Sequence, residues 1–183
     1  MRAPEVRRED GWRIRSNVCH KEAPLISAGL SAGAGEQFVE TQATFLVDTG
    51  SAFTILSPTV TKRLNVNTSG GKTSSVLSLD GSVRVECVKI PVTISFYIKS
   101  SESKGSGQTA KKDESLLIKT EVLGVVDSMC KWGERYSVLG RDLLSHFKLE
   151  LHPPKKDEKE WKLWLNVVSD PKVRNKFTRV EIS

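Results

Sequence analysis

Thr44–Ser57 reads TFLVDTGSAFTILS, and this stretch decides the fold. An apolar run, Phe45-Leu46-Val47, delivers Asp48 straight into a Thr49-Gly50-Ser51 turn, and a second apolar run, Phe53–Leu56, leads away from it. A carboxylate set between buried strands costs free energy unless its charge is satisfied. Gly50 has no Cβ, so it permits a tight turn whose N–H groups can approach the acid. Thr49 and Ser51 add hydroxyls that can bond either the neighbouring backbone or the carboxylate itself. The pattern holds an acid rigidly in apolar surroundings, as acid–base chemistry requires. An Asx turn between two ordinary strands would use the same residue types, so the rest of the chain must discriminate.

Outward from that stretch, sustained helical periodicity is scarce. Short β-rich runs bounded by Gly, Pro, Ser and Asn recur instead and predict a mainly β domain. The expected strands are Pro24–Leu30, Thr41–Val47, Phe53–Leu56, Ser74–Leu79, Ser82–Phe96, Leu116–Val126, Lys148–Leu151 and Trp161–Val168. Leu79-Asp80-Gly81-Ser82 carries an Asp-Gly turn signal, which makes Ser74–Lys89 a hairpin. Arg141–Phe147 is the best helix candidate, with His146 as a helix-end residue. Pro58–Leu64 is a second turn of helix, in which Ser57 caps and Pro58 takes the first helical position. The charged stretch PPKKDEK (Pro153–Lys159) predicts a turn closing a C-terminal hairpin. No internal repeat is visible.

With 183 residues and 38% hydrophobic composition the chain suffices for one core. The expected organisation is a polar N-terminal extension over 1–22, a domain over 23–168 with a flexible insertion over 99–115, and a C-terminal tail over 169–183. No apolar run approaches the roughly 20 residues of a membrane helix. The N-terminus lacks the apolar stretch of a secretory signal. Cys19, Cys87 and Cys130 are widely spaced, with no CxxC or Cys/His cluster, which argues against a disulfide framework or zinc site and for a reduced, cytoplasmic setting. The net charge of +6 is spread through mixed-sign segments: residues 1–22 hold six Lys/Arg against four Asp/Glu, and residues 153–183 hold eight against five. Nucleic-acid binders concentrate such charge on one face, so this distribution argues against a nucleic-acid partner.

A second element completes the motif. Ser137-Val138-Leu139-Gly140-Arg141-Asp142-Leu143-Leu144 is an apolar strand that ends in Gly and passes into a helix. Together, the Asp48-Thr49-Gly50-Ser51 turn and the Leu139-Gly140-Arg141-Asp142 element closely resemble the retropepsin-like aspartic proteases. The resemblance spans roughly Pro24–Leu151, and bacterial and archaeal single-domain members look nearer than the viral enzymes. It implies a single-domain closed β-barrel of the acid protease fold, with one short C-terminal helix, acting as a homodimer. Asp48 then resembles the catalytic aspartate, Thr49 the residue that locks two active-site loops together, and Gly50 the turn glycine. Ser51, Ala52, the hairpin tip Leu79-Asp80-Gly81 and Trp132 fall where the family binds substrate. Leu139, Gly140 and Arg141 fall where it supports the active-site loop. Viral members pair the helix arginine with an acid four positions after the catalytic Asp. That position is Ala52 here, so Arg141 needs another partner, for which the C-terminal strands are candidates.

Hydrolysis by this route needs two carboxylates around one water, one ionised as base and one protonated as acid. The chain holds one Asp-Thr-Gly. Given the resemblance, the second acid comes from an identical subunit across a two-fold axis. The expected interface comprises the Asp48–Ser51 loops and the strands Lys148–Leu151 and Trp161–Val168, with Leu163 and Leu165 in it. The substrate implied is a polypeptide, with self-processing of the termini left open, and no metal or cofactor is implied. The competing reading is a catalytically silent retropepsin-fold module for dimerisation or binding.

Overall fold

The computed structural model describes residues 13–15, 24–33, 39–66, 73–77, 84–98, 113–126, 136–153 and 162–182. Their elements in chain order are β1 (Arg13–Arg15), β2 (Leu25–Ala32), β3 (Val39–Val47), β4 (Ile55–Leu56), α1 (Pro58–Arg63), β5 (Thr73–Leu77), β6 (Arg84–Ile98) and β7 (Asp113–Val125). There follow β8 (Ser137–Leu139), α2 (Arg141–Leu144), β9 (Phe147–His152), β10 (Lys162–Val167), α3 (Pro171–Arg174) and β11 (Phe177–Ile182).

Six strands close on themselves in the order β7-β4-β8-β3-β2-β6, with β6 returning to β7. This is a mainly β, closed barrel, as the resemblance implies. The β6–β7 pair is its longest seam, running antiparallel from Cys87↔Val125 to Ile98↔Glu114. Two parallel pairings lie where the motif is: β3 beside β8, with Val47 opposite Leu139, and β4 beside β7. Each joins segments far apart in the chain, and together they bring the end of β3 to the end of β8.

Burial follows the strand period of two. On β6, Val88, Ile90, Val92, Ile94 and Phe96 face the main core, while Val85 and Cys87 face a smaller cluster with Ile55, Leu123, Val125 and Val138. The strand is buried on both faces near residues 87 and 88, which is why its alternation shifts there. The main core centres on Phe45 and Phe96, both fully enclosed, with Phe147 edge-on to Phe96 at 5.9 Å between ring centroids.

Several expectations shift. Phe53–Leu56 pairs as a strand only over Ile55–Leu56, because Phe53 and Thr54 are tied to the start of α2. The helix expected over Arg141–Phe147 stops at Leu144, since the chain must turn to bring Phe147 into the core as the first residue of β9. Pro58–Arg63 forms as read: the Ser57 hydroxyl accepts from Val60 N–H at 3.3 Å and Pro58 opens the helix. The hairpin arms are present as β5 against β6, from Thr73↔Val88 to Leu77↔Arg84, and its tip at Leu79-Asp80-Gly81 lies outside the described residues. The Lys99–Lys112 part of the insertion lies outside them as well.

Both chain ends add strands to the sheet. Within the polar extension, Arg13–Arg15 pairs with β10 and touches β6. Within the segment read as a tail, Asp170 caps α3 by accepting from Lys172 N–H at 2.8 Å, and β11 pairs with the first half of β7. Phe177 opens β11, is buried, and meets Phe147 edge-on at 5.4 Å. Three short helices are thus present among the described residues: the two read from the sequence, and α3, which was not expected. Leu163 and Leu165 do not face a partner: they are 5% and 0% exposed and belong to the chain's own core.

Candidate active site

Asp48 stands at the mouth of β3, and its position is fixed from both sides. Its backbone N–H donates to the Leu139 carbonyl at 3.1 Å, continuing the parallel β3–β8 pairing one residue past Val47. Its carboxylate Oδ1 accepts from Gly50 N–H at 2.8 Å, and its carbonyl accepts from Ser51 N–H at 3.3 Å. The acid is half-buried at the head of an Asx turn. A Cβ on Gly50 would stand 3.1 Å from Asp48 Oδ1, so this glycine gives the carboxylate its room. The Ser51 hydroxyl takes the backbone option: it donates to the Phe53 carbonyl at 2.8 Å and stiffens the loop. Thr49 is exposed.

The loop is clamped to the β8–α2 junction. Arg141 N–H donates to the Ser51 carbonyl at 2.9 Å and Asp142 N–H to the Ala52 carbonyl at 3.3 Å. Gly140 lies against the Phe53 peptide: a Cβ there would be 2.2 Å from its oxygen and 2.3 Å from its carbonyl carbon. Leu139 is fully buried beneath. The support expected of Leu139, Gly140 and Arg141 is therefore supplied by a carbonyl, a missing Cβ and a backbone N–H. Arg141 is exposed, and its guanidinium has no partner among the described residues; the C-terminal strands do not supply one.

Two residues of this clamp were missed in the sequence. Asp142 takes three donors: Thr54 N–H at 2.9 Å, the Thr54 hydroxyl at 2.7 Å and Leu143 N–H at 2.8 Å. Thr54, fully buried, also accepts from Gly140 N–H at 3.1 Å through the same hydroxyl oxygen. A carboxylate that accepts several N–H and O–H donors is a strong anchor for a loop. The available signal was a lone polar residue in the run Phe53-Thr54-Ile55-Leu56 and an acid in the first turn of α2, where negative charge is favoured. Further along, Ser57 N–H donates to the buried Ser137 hydroxyl at 3.1 Å, fastening the far end of the loop to β8.

The structure thus brings together Asp48, Thr49, Gly50, Ser51, Ala52, Leu139, Gly140 and Arg141. Leu79, Asp80, Gly81 and Trp132 lie outside the described residues. Among the described residues no group of three His, Cys, Asp or Glu could hold a metal ion. No helix among them is long and apolar enough to cross a membrane.

A closed six-stranded barrel with Asp-Thr-Gly-Ser at the mouth of β3, buttressed by Leu139-Gly140, is the arrangement that the resemblance to the retropepsin-like aspartic proteases implies. Residues 35–110 match the family model described as aspartyl protease. The chain is also similar to the crystal structure of a retropepsin-like aspartic protease from Rickettsia conorii, at 17% identity and a TM-score of 0.47, covering 86% of this chain and 93% of that one. No curated protein sequence matches it.

Proposed function

We propose that this chain is an aspartic endopeptidase whose site is completed by a second copy, with Asp48 from each subunit flanking the water that attacks the peptide bond. The observation that carries the reading is the setting of Asp48: a carboxylate held by Gly50 N–H on a loop that is clamped to the β8–α2 junction, with one oxygen accepting no bond among the described residues. In the reaction one carboxylate, ionised, takes a proton from the water while the other, protonated, donates to the scissile carbonyl oxygen. Two acids that close share one proton, because their like charges cannot both be maintained cheaply, and they titrate as a pair. Collapse of the tetrahedral adduct expels the amine, which leaves with a proton from the dyad. Thr49, exposed beside Asp48, is in place to meet the partner loop. The outer edge of β9 is unpaired among the described residues and carries Leu151, 59% exposed, which supports that edge as part of the interface. A reducing, cytoplasmic setting fits the wide spacing of Cys19, Cys87 and Cys130 along the chain.

The test is cleavage of a random peptide library at mildly acidic pH by wild type and by Asp48→Asn. Cleavage by wild type that the substitution abolishes supports the reading. A wild type without cleavage, yet dimeric, favours the silent binding module.

A further inference from the structure

His146 stands in the turn after α2, outside the site just described, and joins the C-terminal segment to the barrel. Its Nε2 lies 3.4 Å from Lys176 Nζ, in the turn between α3 and β11. Its Nδ1 lies 3.4 Å from the Ser145 hydroxyl, which donates to the Asp142 carbonyl at 3.2 Å. An ammonium can only donate. Nε2 must therefore be the acceptor, which leaves the proton on Nδ1 facing the Ser145 oxygen. A neutral ring with its proton on Nδ1 satisfies both contacts. The ring also stands edge-on to buried Phe177, the first residue of β11, at 6.2 Å between centroids, and its carbonyl accepts from Val168 N–H at 3.0 Å.

We propose that His146 is a pH-sensitive clasp, which fastens the strap formed by α3 and β11 at neutral pH and loosens it on acidification. Protonation puts a second N–H on Nε2, so two donors and two positive charges face each other across the Lys176 contact. The charged groups acting on the ring among the described residues are Lys176 on the strap and Asp142, one turn back on α2. Burial and Lys176 lower the pKa of the docked ring, and Asp142 opposes them. The sign follows: a released ring titrates near its ordinary value of about 6.5. The clasp is therefore complete above that pH and weakens as pH falls below it, because the released state then binds the proton more readily. Opening uncovers the outer edge of β7 over Asp113–Ile118, which β11 otherwise pairs. A covered edge would thus become one open to strand pairing.

Hydrogen exchange of the intact chain tests this independently of any catalysis. Amides of residues 177–182 should lose protection severalfold, after correction for intrinsic rates, between about pH 7.5 and about pH 5.5, which bracket the imidazole range. Amides of β2 and β3 should stay unchanged. His146→Gln keeps an acceptor for Lys176 but cannot titrate, so the pH dependence should vanish. Lys176→Met, at an exposed position, removes the repulsion without touching the core and should blunt the response. Constant protection in wild type, or the same loss in both variants, would overturn the clasp.

Discussion

Replacing Gly140 by alanine isolates the contact that holds the Asp48 loop. Gly140 has φ −93° and ψ 179°, extended backbone that any residue adopts, so alanine brings no conformational strain. The cost is steric. The new Cβ would lie 2.2, 2.3 and 2.9 Å from the Phe53 oxygen, carbonyl carbon and nitrogen. Ordinary contact distances are about 3.5 Å, so the Phe53 peptide must retreat by roughly 1 Å, and backbone has no rotamer with which to yield. The retreat strains the bonds from Arg141 N–H to Ser51, from Asp142 N–H to Ala52 and from Gly140 N–H to Thr54. Losing two or three of these at about 1 kcal/mol each, with about 1–3 kcal/mol for overpacking, gives a destabilisation of about 3–6 kcal/mol. Urea denaturation followed by tryptophan fluorescence measures it, and the melting temperature should fall by about 10 °C. Peptidase turnover should drop on the order of 100-fold, as a misplacement of about 1 Å at a catalytic group costs. A variant within about 1 kcal/mol of wild type and fully active would refute the reasoning, since the loop would then be held by something else.

Asp48→Asn should abolish cleavage with less than about 1 kcal/mol change in stability, because the amide oxygen can still accept from Gly50 N–H but the group no longer exchanges protons; turnover and urea titration check it together. Asp142→Asn should cost about 1–2 kcal/mol, since an amide presents a donor where Thr54 N–H needs an acceptor. Combined with Thr54→Val it should be non-additive by about 0.5 kcal/mol or more in a double-mutant cycle, because the Thr54 hydroxyl and the Asp142 carboxylate are direct partners in one network. Specific activity should fall on dilution, with rate varying as the square of protein concentration below the dimer dissociation constant, and added Asp48→Asn chain should inhibit wild type; linear activity to about nanomolar protein contradicts the shared site. Leu165→Asp should unfold the chain itself, at about 3–5 kcal/mol for an unpaired buried charge, and this is read in monomer stability and not in subunit exchange alone.

What the sequence made legible was local. Asp48-Thr49-Gly50-Ser51 and Leu139-Gly140 could each be read as a strand ending in a tight turn, because the apolar run and its terminating residues are adjacent in the chain. Ser57-Pro58 announced α1 for the same reason, and the Asp80-Gly81 turn signal announced a hairpin whose arms are present as β5 and β6. The clamp was not legible, because its partners are 86 to 90 positions apart. Asp142 looked like an ordinary first-turn acid and Thr54 like one residue of a strand. Only the parallel placement of β3 beside β8 makes them meet.

The same distinction explains the errors at the chain ends. Residues 1–22 read as a polar extension and 169–183 as a tail, yet a strand on a sheet edge needs only one apolar anchor and a free backbone partner. Phe177 is such an anchor: its ring meets Phe147, and the five residues after it can be polar because the ladder to β7 is made by backbone groups. Leu163 and Leu165 fail in the opposite sense. Their alternation correctly showed a one-sided strand, but alternation does not say whether the buried side faces its own barrel or another copy. Here Leu163, Leu165 and Val167 pack into the chain's own core, and the outer edge of β9 is one that no described strand covers. Under the proposed function a second subunit approaches along the β9 edge to bring its own Asp48 to the first, and the geometry of the site and the assembly become one question.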